Sequence, residues 1–252
     1  MKDVAFGLVL ALQFLTRLPL PFACPWTPAT RRWAVRCYPL VGVLLGGLLA
    51  AAAALLESLL PAPLLALALL TLWVALSGGL HLDGLMDVAD ALGSNAPLER
   101  KWEIMKDPHV GSFGILALVF LLLWKAALLF VLLDAGASLL LLVMILGLGR
   151  LAAVALLVLA PAARPEGMAA SWKRDLSPRD LWLAALPLLP LAALVPGGVW
   201  LCLALAPFLM LYAWGMLCAF KGINGDIVGT AIEGGELWLL LVAWSWWSFV
   251  TG

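Results

Sequence analysis

Three aspartates, Asp83, Asp87 and Asp90, stand at i, i+4 and i+7 in a run that opens at Gly78 and includes His81. On a helix they share an arc of about 60°, one above another. Carboxylates stacked in this way repel each other strongly at low dielectric. A cation should neutralise them, and oxygen ligands suit a hard Mg²⁺ or Mn²⁺ better than Zn²⁺. Such an ion would in turn hold phosphate oxygens. The plainer alternative is a solvated acidic helix face. Leu82, Leu85, Met86 and Val88 argue against it, because they set the run against an apolar wall. His81 is open to three readings: ligand, proton carrier or satisfied interfacial histidine.

Other chemistry-bearing residues lie in similar polar stretches. Glu103-Ile104-Met105-Lys106-Asp107 precedes Gly111-Ser112-Phe113-Gly114. A Lys-Asp pair before a glycine-bearing loop can hold a phosphate through Lys106 and loop amides. Glu99 and Arg100 read as the outer side of an amphipathic helix with Leu98, Trp102 and Met105 as its stripe. Arg164-Pro165-Glu166-Gly167 and the stretch from Lys221 to Gly229, with Asp226 and then Glu233, offer comparable groups. Lys125 and Arg150 fall inside apolar stretches, where ionisable groups face a polar cavity. Lys125 can snorkel outward. Arg150, near the middle, needs a buried phosphate or carboxylate partner.

The elements that must position these groups are membrane helices. The chain has 252 residues, 65% hydrophobic and 12% charged, with mean hydropathy +1.08. A soluble domain carries about 25% charged residues, so lipid must cover part of this surface. Fifteen basic residues balance fifteen acidic ones, which argues against general affinity for nucleic acid. The expected fold is all-α: a polytopic bundle forming one integral-membrane catalytic domain over 1–252. About seven spans are predicted, at 37–56, 63–81, 112–133, 137–160, 181–196, 198–219 and 236–250. An interfacial or re-entrant helix precedes them within 4–16. Pro187 and Pro190 should kink the fifth span. Lys and Arg concentrate in alternate connections, placing the N-terminus and the long polar loops inside. Trp244, Trp246 and Trp247 should anchor the last span at the outer interface. The start reads as retained rather than cleaved. Cys24, Cys37, Cys202 and Cys218 form no metal or disulfide pattern.

Taken together, these segments resemble the cobalamin synthase family, adenosylcobinamide-GDP ribazoletransferase. The resemblance rests on the stretches 13–21 (QFLTRLPLP), 38–42 (YPLVG), 81–90, 103–107 with 110–114, and 163–167 (ARPEG), then on Gly225-Asp226 with Gly229 and Glu233. It runs from residue 12 to beyond 230. Ala91 stands where a glycine often follows the third aspartate. Pro108-His109 replaces a small polar and a basic residue, so position 109 is left outside the site.

The resemblance implies a Mg²⁺-dependent transfer at the cytoplasmic face of a prokaryotic inner membrane. The substrates would be adenosylcobinamide-GDP and α-ribazole or its 5′-phosphate. A ribose hydroxyl would displace GMP to give adenosylcobalamin or its 5′-phosphate. Asp83, Asp87 and Asp90 would hold one or two ions, and one of them, or His81, would take the proton. Glu103 would be a further ligand. Arg17, Lys106, Arg150 and Arg164 would meet phosphate, and Asp107, Asp226 and Glu233 would serve ribose or the outer metal shell. Membrane lipid and a second copy of the chain are the other partners considered. Two alternatives compete. A lipid or polyol phosphotransferase would show Ala-Arg soon after Asp-Gly, where Leu85-Met86 stands here. An ion-coupled transporter would carry acids at mid-span, whereas these acids are expected at inner loops and span ends.

Overall fold

In a computed structural model, described over residues 2–251, the chain is a helical bundle with no strand among the described residues. Its first six helices are α1 (Lys2–Leu15), α2 (Pro28–Leu56), α3 (Ala62–Ser77), α4 (Leu80–Gly93), α5 (Leu98–Ile104) and α6 (Ser112–Asp134). The remaining α-helices are α7 (Leu140–Leu159), α8 (Met168–Lys173), α9 (Pro178–Ala185), α10 (Leu188–Leu194), α11 (Gly198–Phe220) and α12 (Gly225–Trp246), and a π-helical turn (Trp247–Thr251) follows. Helices α2, α6, α7, α11 and α12 are long and apolar enough to cross a membrane, and the bent pair α3–α4 makes a sixth at most. The chain is a multi-pass membrane protein.

Helix α7 is the axis of the bundle, and nearly all of it is buried. In lipid the hydrophobic effect does not drive helices together, so close backbone packing must. Gly42 and Gly46 of α2 provide it. A Cβ at Gly46 would come within 2.5 Å of the Val143 backbone, and one at Gly42 would meet the Leu146 carbonyl. The Lys173 ammonium closes the end of α7 by donating to the Leu157 and Val158 carbonyls, each at 3.2 Å. Those carbonyls have no partner inside the helix.

The seven expected spans reduce to six at most, α2 begins at Pro28 rather than 37, α3 ends at Ser77 rather than 81, and two further elements differ more. The fifth span, expected at 181–196, is two short helices, α9 and α10, separated at Leu186–Pro187. Pro187 breaks the ladder, Pro190 prevents a longer α10, and neither piece can cross a bilayer. The last span starts at Gly225 rather than near 236. Its polar first turns continue the helix because Asn224 caps it, accepting the Ile227 amide at 2.9 Å.

Gly78 and Gly79 both adopt left-handed backbone, at φ 67° and 69°, which turns α4 by 89° from α3. Helix α4 therefore leaves the direction of α3 instead of extending it straight. Helix α1 lies against the first third of α2, with Phe14 stacked on Tyr38 at 6.3 Å and Gly7 pressed on Trp33. The start of α2 is tied to the 174–180 segment. Arg31 pairs with Asp175, and Arg36 pairs with the buried Asp180 at 2.6 Å.

Candidate active site

Helix α4 displays its aspartates along one side, with Asp83 exposed and Asp87 and Asp90 half-buried. Asp90 accepts hydrogen bonds from the Gly111 and Gly114 amides at 2.7 and 2.9 Å. These amides open α6, where the first N–H groups have no helical partner and the dipole favours an anion. A Cβ at Gly114 would lie 2.5 Å from the Asp90 carboxylate. The glycine-bearing loop expected to hold phosphate thus holds the third aspartate.

A fourth carboxylate joins the run. Gly84 lets α12 approach so closely that a Cβ there would fall 2.8 Å from Asp226 Cα. Asp226 is oriented by the Asn224 side chain, which donates to it at 2.7 Å. Asp87 lies in the combined field. Burial, then the charges of Asp226, Asp83 and Asp90, push its carboxyl up to about 7. The donor set is all carboxylate oxygen and lacks a compensating cation, which fits a hard divalent ion. Among the described residues no three acidic, histidine or cysteine groups already converge as a metal cage.

Two cavities flank Asp226. One, of about 330 Å³, is lined by Trp102, Lys106, Arg164 and Glu166, with Arg164 6.0 Å over the Trp102 ring. The other, of about 350 Å³, is walled by Phe14, Tyr38, His81 and Trp172. They share Met168, Ala169, Asn224, Gly225 and Asp226. A two-residue bridge builds this common wall. Ala163 donates to the Ile223 carbonyl, and Ile223 to that of Pro161, both at 2.9 Å. The loops after α7 and α11 are thereby locked side by side. The cationic chamber, named for Lys106 and Arg164 although Glu166 and Asp226 also line it, meets the aromatic one at Asp226, beside the α4 aspartates.

Behind this site lies a buried charge network. The Lys125 ammonium donates to Glu233 and Glu236, each at 2.6 Å, and lies 4.5 Å over the Trp73 ring. Arg150 pairs with Glu236 and has no exposed surface. Lys125 therefore does not snorkel, and Arg150 has its carboxylate partner. The expectation that acids avoid the spans also fails, because Glu233 and Glu236 sit within α12. Two cations and two anions cancel, which is how a membrane interior tolerates them. Arg150 and Glu233 line neither chamber. His81 links the network to the aromatic chamber, with Nδ1 3.9 Å from Glu233 and otherwise unpartnered.

The remaining predicted residues are more peripheral. Glu103 is exposed and bonds Arg100 at 2.7 Å. Asp107 is exposed and accepts from the His109 amide and ring, which hold its carboxyl below the usual range. Arg17 is exposed, with its backbone bonded to Leu76 and its side chain over Gly78. Sequence reasoning missed Glu236, whose i, i+3 spacing from Glu233 was the available sign. It also missed Trp172, beside Lys173 and Arg174, and gave Tyr38 no role although the stretch 38–42 carried part of the resemblance.

The sequence profile of the cobalamin-5-phosphate synthase family matches residues 7–244. The adenosylcobinamide-GDP ribazoletransferase of Halalkalibacterium halodurans is 38% identical over the whole of both chains. The Geobacillus kaustophilus protein of that name is also 38% identical at full coverage. The Pseudomonas aeruginosa protein is 42% identical over 92% of this chain and 95% of its own. No solved structure matches.

Proposed function

Because the chain belongs to the cobalamin-5-phosphate synthase family, we propose that it joins adenosylcobinamide-GDP to α-ribazole, or to its 5′-phosphate, and releases GMP. Its role is a transferase step in assembly of the cobalamin nucleotide loop. The ribose hydroxyl oxygen bonds to the phosphorus attached to cobinamide, and the bond from that phosphorus to GMP breaks. The basic connections support a site on the cytoplasmic side of the inner membrane.

One observation carries this reading: a cationic and an aromatic chamber meet at Asp226, next to three further aspartates. Lys106 and Arg164 bind and orient the pyrophosphate in the cationic chamber. Asp226, at the junction, accepts the hydroxyl proton on a carboxylate oxygen. Asp83, Asp87 and Asp90 would hold Mg²⁺. When bound, that ion neutralises charge building up on the transferring phosphoryl group. Arg150 and Glu233 are not assigned to substrate. With Lys125 and Glu236 they brace the wall that carries His81.

The test is product analysis with purified protein in proteoliposomes. Adenosylcobinamide-GDP plus α-ribazole should give GMP and adenosylcobalamin in equal amounts. Lipid and polyol acceptors should give neither. GMP release with a lipid acceptor, and none with ribazole, would replace this reading with the lipid phosphotransferase.

A further inference from the structure

Away from the two chambers, a groove of about 470 Å³ opens between the start of α2 and α9, lined by Arg32, Arg36, Arg179, Trp182 and Leu183. Behind its three guanidiniums lies one carboxylate, the fully buried Asp180. Arg36 engages it most closely. Its Nε donates to Asp180 at 2.6 Å, and its guanidinium lies 4.5 Å over the Trp33 ring. Arg32 stands 3.6 Å from the same oxygen, beyond hydrogen-bond length, with 40% of its side chain exposed. Arg179 is exposed and has no hydrogen bond or ion pair among the described residues. Asp175, the preceding acid of that segment, is paired with Arg31. Arg32 and Arg179 are therefore left as open positive charges at the mouth of the groove.

The apolar side of the groove continues away from these charges. Trp182 is 75% exposed and Leu183 41%, and indole rings settle at the headgroup level of a bilayer. On α2, the exposed Leu40, Leu44 and Leu48 follow Arg32 and Arg36 in steps of four. One ridge of the helix thus passes from guanidiniums to leucines. Cations first, then an indole, then leucines is the order of a phospholipid read from phosphate to acyl chain. The basic connections support a cytoplasmic position for the start of α2, where leaflet lipids carry negative charge.

We propose that this groove binds an anionic phospholipid, with Arg32 and Arg179 on the headgroup phosphate and an acyl chain along the α2 leucine ridge. Planar guanidinium forks match phosphate oxygens in pairs. Charge selects the occupant. A zwitterionic lipid brings no net charge against the two open cations, and a free phosphate leaves Trp182 and the leucines uncovered. Bound lipid joins α2 to α9, which is too short to cross a bilayer and is held to α2 through the Arg36–Asp180 pair. The proposal is independent of the transfer chemistry.

Native mass spectrometry of the intact protein in neutral detergent, titrated with phosphatidylglycerol, tests the site. The unaltered protein should bind this lipid about tenfold or more tightly than phosphatidylcholine. Arg32→Gln and Arg179→Gln should each weaken phosphatidylglycerol binding about fivefold, the usual contribution of one basic residue at an anionic surface. Binding of phosphatidylcholine should not change. Neither arginine lines a chamber of the candidate active site. GMP release in phosphatidylcholine vesicles, and the melting temperature in neutral detergent, should therefore match those of the unaltered protein and show that the variants are folded. Equal affinity of the unaltered protein for the two lipids, or undiminished phosphatidylglycerol binding in both variants, would overturn the proposal. So would displacement of the lipid by millimolar inorganic phosphate, which would mark a site for a free anion.

Discussion

Asp226 and Asn differ by one charge and almost no volume, so Asp226→Asn isolates the role of that charge at the junction of the chambers. GMP release should fall by at least about a hundredfold, the usual size of a lost general base, with KM for either substrate little changed. A loss confined to KM would reassign Asp226 to binding. Lys106 is a simpler case, because it is exposed on the rim of the cationic chamber. Lys106→Gln should raise KM for adenosylcobinamide-GDP about tenfold, the cost of one charged hydrogen bond. The ribazole KM should not move. The α4 aspartates were legible in the sequence because helical spacing alone aligns them. Asp226 was visible only as one acid in a glycine-bearing loop, since nothing local reveals that Gly84 admits it to the α4 cluster.

At the scale of elements, the turn between α3 and α4 sets the height and direction of the aspartate run. Gly78→Ala forces a Cβ into left-handed backbone and against the Arg17 side chain, at a cost of about 1 kcal/mol or more. Activity should drop further than this modest loss of thermal stability, as read by unfolding in detergent alongside GMP release. The Asp180 anchor makes a prediction about pH. Burial raises its carboxyl, but bonds from Ser177 and the Arg36 guanidinium outweigh that and hold it below the ordinary value. A depressed carboxyl stabilises the fold fully above the ordinary carboxylate range, and the contribution is lost as pH falls through its folded value. Asp180→Asn should therefore be less stable at neutral pH, by about 3 kcal/mol, and should lose less on acidification. Parallel melting curves from pH 7 to pH 3 check this, and an equal loss in both proteins on acidification would contradict it. Most spans could be read from apolar runs of sufficient length. Helices α9 and α10 could not, because hydropathy counts leucines and is blind to the hydrogen bonds that Pro187 and Pro190 remove. The start of α12 was missed for the converse reason: Asp226, Glu233 and Glu236 resemble a loop until the Asn224 cap and the two glutamates' cationic partners on α6 and α7 are known.

For the molecule as a whole, polar chemistry runs inward from the loops to a charge-balanced network inside the bundle. Glu236 joins α12 to both α6 and α7 through Lys125 and Arg150. Glu236→Gln leaves the buried guanidinium without a counter-charge and should cost about 3–5 kcal/mol, read as a lower melting temperature. Catalysis in the surviving folded fraction should remain, since the network touches neither chamber except through His81. No sequence pattern links Lys125 and Arg150 to Glu233 and Glu236, so only tertiary structure could show this framework. The central claim is that the clustered aspartates work through a divalent ion at the meeting point of the two chambers. The most direct test is GMP release by the purified protein after chelation and stepwise return of Mg²⁺, compared with the Asp87→Asn variant. Chelation should abolish release and Mg²⁺ should restore it fully, with the variant inactive at every concentration although inserted in the membrane. A full rate in chelator, or a near-normal rate from Asp87→Asn, would contradict the account.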